Sequence, residues 1–217
     1  MDQVLIFGGL SDVGFPLSQH LLDCGVFTGS LSSAVTEEER KHEEDHELFL
    51  GRHALFCPER KVQSHTFTHL ILADTLRLEQ DKNELLKRRL NKLIANARDF
   101  RSILFLSSLD VQAASADALS GTPHPETESG KAANEMELFF VERLRQIKRK
   151  EALIFRIDLK MLSEQDSSKK MAHLIAGLMS ENHTGLDVVC YQKRSDLHDP
   201  VNEKLRRLLP KSYWRWL

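Results

Sequence analysis

Short apolar runs without regular alternation, each followed by a stretch of helical spacing, constrain this chain more than any other feature. QVLIFGG (3–9), TFTHLILAD (66–74), SILFLSS (102–108), ALIFRIDL (152–159) and GLDVVCYQ (185–192) are such runs, with shorter ones at 26–33 and 53–58. A strand with one wet face alternates apolar and polar residues, so runs that do not alternate predict strands covered on both faces. Helical patterns fill the gaps at 11–25, 78–98, 131–148, 167–182 and 199–209. In the first, Val13, Leu17 and Leu21 share a stripe, Pro16 falls in the first turn where its missing N–H is tolerated, and Gly25 supplies a stop. In 78–98, Leu85, Leu86, Leu90, Leu93 and Ile94 are expected to face the core. Strand and helix repeated in this order predict an α/β fold: a doubly wound, mainly parallel sheet with helices on both faces, in a single domain over 1–217.

Charge excludes some partners. Lys and Arg number 30 against 32 Asp and Glu, a formal net charge of −2, which gives no electrostatic attraction to nucleic acid or an anionic membrane. The basic clusters at 87–92, 145–150 and 204–207 lie on helical patterns and read as solvated faces. Cys24, Cys57 and Cys190 are odd in number and far apart, so neither a disulfide framework nor a zinc ribbon is suggested. An acid stands at position 2, no basic leader precedes the first strand, and no apolar run is long enough to cross a bilayer. A cytoplasmic protein is the expectation.

Three short stretches carry chemistry. FGGLSDVG (7–14) joins the first strand to the first helix, where glycines let the backbone turn sharply and approach a pyrophosphate resting on helix amides. Gly8, Gly9 and Gly14 are present, and Ser11 takes the middle position of a G-x-x-G-x-x-G spacing. LFLSSLDVQ (104–112) ends a strand in two serines at the edge that faces the ligand crevice of such folds. Ser108 there could polarise a carbonyl, or it could cap a turn. HEEDH (42–46) has H-E-x-x-H spacing, which on a helix puts two imidazoles on one face for zinc, with Glu43 as base. Its segment, 36–47, is densely charged without an apolar stripe and reads as a loop or exposed helix. No third ligand is evident, so a solvated acidic segment is expected and no metal site is assigned.

FGGLSDVG, LILAD, SSLDV, the prolines of GTPHPETESGKAANE and ALIFRIDL come in the order of the extended short-chain dehydrogenase/reductase superfamily. The chain resembles its NAD-dependent epimerase/dehydratase branch over about its first three-quarters. The resemblance implies that Gly8, Gly9, Ser11, Asp12, Val13 and Gly14 form the pyrophosphate turn, that Ala73 lines the cofactor pocket, and that Ser108 holds the catalytic Ser/Thr position. Lys131 matches the lysine of the family's Y-x-x-x-K, which binds the nicotinamide ribose and lowers the tyrosine's pKa so that its phenolate can act as base. Glu135 matches an acid common four residues later.

This sequence departs from that pattern. Thr127 stands where the tyrosine belongs, and the only tyrosines are Tyr191 and Tyr213. A threonine hydroxyl cannot replace a phenol as base near neutral pH, so Tyr-dependent catalysis is expected to be lost. Ser32 replaces the acid that usually holds the adenosine ribose, no arginine stands there for a 2′-phosphate, and NAD and NADP remain open. Residues 160–217 read as a reduced C-terminal extension where relatives build a sugar-nucleotide lobe.

The leading expectation is therefore an NAD(P)-binding protein with a sensing, scaffold or accessory role. The alternatives are an oxidoreductase or epimerase on a nucleotide sugar or related carbonyl compound using Ser108 and Lys131, and a cofactor-free interaction module. The resemblance also implies a homodimer through the helices at 78–98 and 131–148. The aromatic tail at 213–217 is expected to fold back on the core.

Overall fold

The runs expected to be strands pair side by side, all in parallel. In this computed structural model, residues 3–112, 125–149, 151–158, 161, 165–181, 183–192 and 201–216 are described. The strands are β1 (Gln3–Phe7), β2 (Phe27–Leu31), β3 (Phe56–Cys57), β4 (His69–Leu72), β5 (Ser102–Ser108), β6 (Ala152–Ile157) and β7 (Leu186–Cys190). The helices are α1 (Phe15–Asp23), α2 (Glu37–Leu50), α3 (Gln80–Ala95), α4 (Glu128–Gln146), α5 (Gln165–Ser180) and α6 (Val201–Leu208). The sheet order is β3-β2-β1-β4-β5-β6-β7, the doubly wound Rossmann-type order extended by one strand.

Successive strand side chains point to opposite faces, and here both faces are covered. Val4, Ile6, Ile71, Leu104, Leu153 and Phe155 pack under α1 and α5 with Leu17, Leu21, Met171 and Ile175. Leu5, Phe7, Leu70, Leu72, Phe105 and Ile154 pack under α3 and α4 with Leu86, Leu90, Met136 and Phe140. That double burial is why these strands read as apolar runs. Residues after 160 supply α5 to the first core and β7 to the sheet edge.

The elements differ from expectation mainly at their ends. The second strand is shorter than 26–33, the third is only Phe56–Cys57, and α1 starts at Phe15 rather than near 11, with Gly14 as its N-cap. Leu85 was expected in the core but is exposed, while Leu86, Leu90 and Ile94 are fully buried, so the stripe of α3 is narrower than its sequence suggests. Leu138 of α4 is also exposed, so both helices of the expected homodimer surface retain bare leucines. Among the described residues no helix is long and apolar enough to cross a membrane. In the tail, the Trp214 indole N–H is shared between the Arg206 and Leu209 carbonyls, and Tyr213 packs on Gly177. Most of the loop at 112–130, including Pro123, and Leu159 and Leu217 lie outside the described residues.

The charge-dense segment after β2 is a helix for a local reason. The Thr36 hydroxyl accepts from the Glu39 N–H at 3.2 Å, and the Glu39 carboxylate accepts from the Thr36 N–H at 3.3 Å and the Val35 N–H at 2.6 Å. This capping box, with Glu37, Glu38 and Glu39 in the positive first turn, nucleates α2 without an apolar stripe.

Helix α4 starts before Lys131 because Thr127 caps it, its hydroxyl accepting from the Gly130 N–H at 2.9 Å. It ends in a Schellman turn: the Lys148 N–H donates to the Arg145 carbonyl and the Arg149 N–H to the Leu144 carbonyl. That turn holds Lys148 at φ 56°, a left-handed conformation that glycine adopts without strain. Lys148→Gly is expected to raise stability by about 1 kcal/mol, seen as a higher urea midpoint at unchanged slope; a lower midpoint contradicts this.

Candidate functional site

The carboxyl ends of β1, β2, β4 and β5 form one rim, and the residues singled out in the sequence mostly lie along it. Gly8 follows β1 at φ +74°, and a Cβ there would sit 2.4 Å from the Asp74 Cβ. At Gly14 a Cβ would sit 2.0 Å from the Gly8 carbonyl oxygen, so the start of α1 crosses directly over the strand end. Ser11 closes this turn rather than leaving it bare. Its hydroxyl donates to the Gly8 carbonyl at 2.8 Å and accepts from the Gly14 N–H at 3.2 Å. The Asp12 and Val13 N–H groups have no acceptor among the described residues, which leaves two donors at a helix start.

Ser32, at the tip of β2, does not meet the rim alone. Its N–H donates to Glu59 at 3.1 Å, so a carboxylate does stand at that tip, supplied by the 3-10 helix Glu59–Ser64 after β3. Sequence reading looked for this acid on β2 itself and missed it. Beside it opens a cavity of about 680 Å³, lined by Leu10, Ser30, Ser32, Glu43, Glu59 and Arg89 among others.

A second cavity of about 220 Å³ lies at the ends of β4 and β5, lined by Val13, Ala73, Asp74, Ser107, Ser108, Ser129, Ala133 and Met136 among others. Its walls are partly hydroxyl and partly apolar. The Ser107 hydroxyl is buried without a hydrogen-bond partner among the described residues. An unmade bond on a buried donor is costly, and a ligand hydroxyl or carbonyl in this cavity would satisfy it. Ser108 lines the same cavity, but its hydroxyl accepts from the Asp110 N–H at 3.1 Å and caps the short 3-10 helix after β5.

Lys131, which the resemblance assigns to the nicotinamide ribose, lies outside the lining of the smaller cavity. The pocket-facing residues of α4 are Ser129, Ala133 and Met136, spaced four and three apart, whereas Lys131 does not line the cavity. Its ammonium is 3.0 Å from Glu128 and its side chain is 59% exposed. Thr127, at the tyrosine position, is occupied with the N-cap. Glu135 points to Lys87 of α3. The reason is rotational: a residue two positions from a pocket-facing one is turned well away around a helix.

The two cavities share no lining residue among those described, and a polar bridge stands between them. Ser33 follows β2 and Asp74 follows β4, on either side of β1. The Ser33 hydroxyl donates to Asp74 at 2.6 Å, passing over Gly8, and the Ser33 N–H donates to Glu43 of α2 at 3.0 Å. Arg77 clamps the far side, with two bonds to Asp74 at 2.6 and 2.8 Å and one to Glu39 at 3.0 Å. Burial alone would lower the Arg77 pKa, but Asp74 and then Glu39 outweigh it and hold the pKa raised. Burial likewise pushes the Glu39 carboxyl up, yet the Val35 N–H, Arg77 and the Thr36 N–H together bring it below its ordinary value. The sequence points none of these five residues to the rim, and Glu43 figures there only as the would-be base of an H-E-x-x-H pattern to which no metal site is assigned. Buried against Ser33, Glu43 is structural.

The H-E-x-x-H histidines are also rearranged. They lie on α2, and Asp12 of the glycine turn stands beside them, its carboxylate 3.2 Å from His42. The third potential ligand that the sequence did not show therefore comes from a distant segment.

No protein-family model matches the chain, and no curated protein matches it. Solved structures do. UDP-glucuronic acid 4-epimerase from Bacillus cereus, in complex with NAD, matches with a TM-score of 0.63 at 13% identity, covering 89% of this chain and 79% of that one. UDP-glucose 4-epimerase from Bifidobacterium longum, in complex with NAD+ and UDP, matches with a TM-score of 0.61 at 14% identity, over 87% and 77%. UDP-glucose 4-epimerase from Thermotoga maritima, with UDP-glucose, matches with a TM-score of 0.62 at 13% identity, over 95% and 81%. At these identities the shared property is the fold.

Proposed function

We propose that this chain is a dinucleotide-binding protein built like the nucleotide-sugar 4-epimerases, without their tyrosine-dependent chemistry. The observation that carries the reading is the wall of the smaller cavity. It sits beside the glycine turn, on the side where dinucleotide-binding folds hold the reacting end of their cofactor, and its α4 face offers Ser129, Ala133 and Met136 with no phenol or ammonium among the lining residues. The one carboxylate among the lining residues, Asp74, is engaged by the Ser33 hydroxyl and the Arg77 guanidinium, and the serine hydroxyls are too weakly acidic to serve as a base near neutral pH. The turn retains the free Asp12 and Val13 amides for a pyrophosphate, and Ser107 retains a donor for the ligand's reacting end. Glu59 at the β2 tip suits a ribose diol and repels a 2′-phosphate, which favours NAD over NADP.

A second reading, a cofactor-free interaction module, is favoured by one observation: the Ser33–Asp74 bond bridges the crevice above Gly8. Calorimetric titration with NAD, NADH, NADP and NADPH tests the first reading, alongside absorbance assays for turnover with UDP-sugars. Weak saturable binding of NAD, tighter than NADP, with no turnover is the expected result. Turnover of any UDP-sugar would overturn the loss of catalysis. Failure of every dinucleotide to bind, in the wild type and in a variant with the bridge removed, would leave the interaction module.

A further inference from the structure

The imidazoles of His42 and His46 project from one face of α2, one turn apart, towards the glycine turn that carries Asp12. One ligand atom from each of the three residues lies within 4.8 Å of the others. Around a tetrahedral ion, ligand atoms sit roughly 3.3–3.5 Å apart, so about an ångström of movement closes the set. The exposed partners can supply it: the Asp12 and His42 side chains are 77% and 51% exposed. His46 is already aimed. Its Nδ1 lies 2.6 Å from the Leu10 carbonyl oxygen, which can only accept, so Nδ1 is the donor and Nε2 is the nitrogen left for an outside ligand. A ligating histidine is commonly oriented in this way, by donating its other N–H to a backbone carbonyl. Phe15 stacks on the same ring, with centroids 3.9 Å apart and planes 15° apart, which fixes its rotation. The His42 ring lies 4.5 Å from that of His46.

We infer that Asp12, His42 and His46 form a binding site for a divalent transition-metal ion of the zinc type. Two imidazoles and one carboxylate are the donor set that borderline ions prefer to magnesium or calcium, which favour oxygen alone. Three protein ligands leave a fourth position of a tetrahedral ion open to water or an outside ligand. The site is not a metallopeptidase centre. Glu43, the base of the H-E-x-x-H pattern, turns the other way and is buried against Ser33. What the ion joins is α2 and the glycine turn. It thereby covers the one carboxylate on the turn, Asp12, which would otherwise repel a phosphate there. The metal site itself rests only on the three side chains and stands whether or not a dinucleotide binds.

Cobalt(II) is a direct probe, because its visible absorption reports both binding and geometry. One equivalent of Co²⁺ added to the full chain is expected to give tetrahedral absorption bands, removed by competing Zn²⁺. His42→Ala and Asp12→Asn alter exposed side chains and are each expected to weaken Zn²⁺ binding tenfold or more; His46→Ala is expected to abolish the bands. Circular dichroism of each variant checks that α2 persists, and the first two variants keep the test decisive if His46→Ala loosens the helix. The affinity falls on acidification, because imidazoles must lose their protons to bind. An unchanged spectrum in His42→Ala and Asp12→Asn would overturn the site. So would the absence of binding at millimolar metal, or thiolate charge-transfer bands that vanish in Cys24→Ser.

Discussion

Glu137→Ala is expected to lower the unfolding free energy by about 3–5 kcal/mol, the range for removing one partner of a buried ion pair. Arg156 lies on the α4 face of β6, only 2% exposed, and Glu137 of α4 receives two of its N–H bonds at 2.9 and 2.7 Å. Burial alone would lower the Arg156 pKa, but Glu137 outweighs it, so the guanidinium stays charged at any accessible pH. Truncating Glu137 thus removes the carboxylate that receives two of the guanidinium's bonds between strand and helix. Cys190, next in the cluster, cannot take over, because burial pushes its thiol pKa up and keeps it neutral. Glu137→Gln keeps an acceptor and should fall between wild type and alanine. The double change Glu137→Leu with Arg156→Met removes both charges and should recover most of the loss, since an apolar pair of similar volume avoids desolvation. Urea denaturation of the four proteins measures this. A loss below about 1 kcal/mol in Glu137→Ala would show that the pair is solvated in solution.

The same ion pair shows where sequence reading reached and where it stopped. The sheet was legible because Val4, Ile6 and Leu5, Phe7 serve opposite cores, and a two-sided strand has to be apolar throughout. The glycine turn was legible because a Cβ at Gly14 would strike the Gly8 carbonyl, a backbone demand that only one residue type meets. Arg156 and Glu137 were invisible, since their partnership spans two elements and neither residue type announces burial. Helix α2 reads in the sequence only as loop or exposed helix, because its stability lies in the Thr36–Glu39 capping box and not in an apolar stripe. Lys131, named from spacing, does not line the smaller cavity. Four residues before Lys131 stands Thr127, but the α4 residues turned to the cavity are Ser129, Ala133 and Met136. A pattern anchored on one lysine cannot say which face of a helix meets a pocket. The Ser33–Asp74–Arg77 bridge joins loops after β2 and β4, which only the strand order brings to either side of β1.

That bridge sets the second large effect. The double substitution Asp74→Ala, Arg77→Met is expected to tighten NAD binding about tenfold or more. A dinucleotide lying across the strand ends has to pass over Gly8, where the Ser33 hydroxyl and Asp74 now meet. Opening that contact gives up charge-assisted hydrogen bonds of about 1.5–3 kcal/mol each, against partial recovery from water. A closed state favoured by about 1.5 kcal/mol already weakens apparent affinity roughly tenfold, because only the open fraction binds. Single changes confuse the result. Asp74→Ala alone leaves Arg77 free to attract a phosphate, and Arg77→Met alone leaves the Asp74 carboxylate buried without its cation. The pair removes both, and Glu39, partly exposed, keeps its capping-box bonds from the Val35 and Thr36 N–H groups. Equal NAD affinity in wild type and double variant would show that the bridge is no barrier. Absence of binding in both, with the fold intact, would mean that the crevice does not hold a dinucleotide, and Gly8 to Gly14 would then be a turn demanded by the packing of α1 on β1.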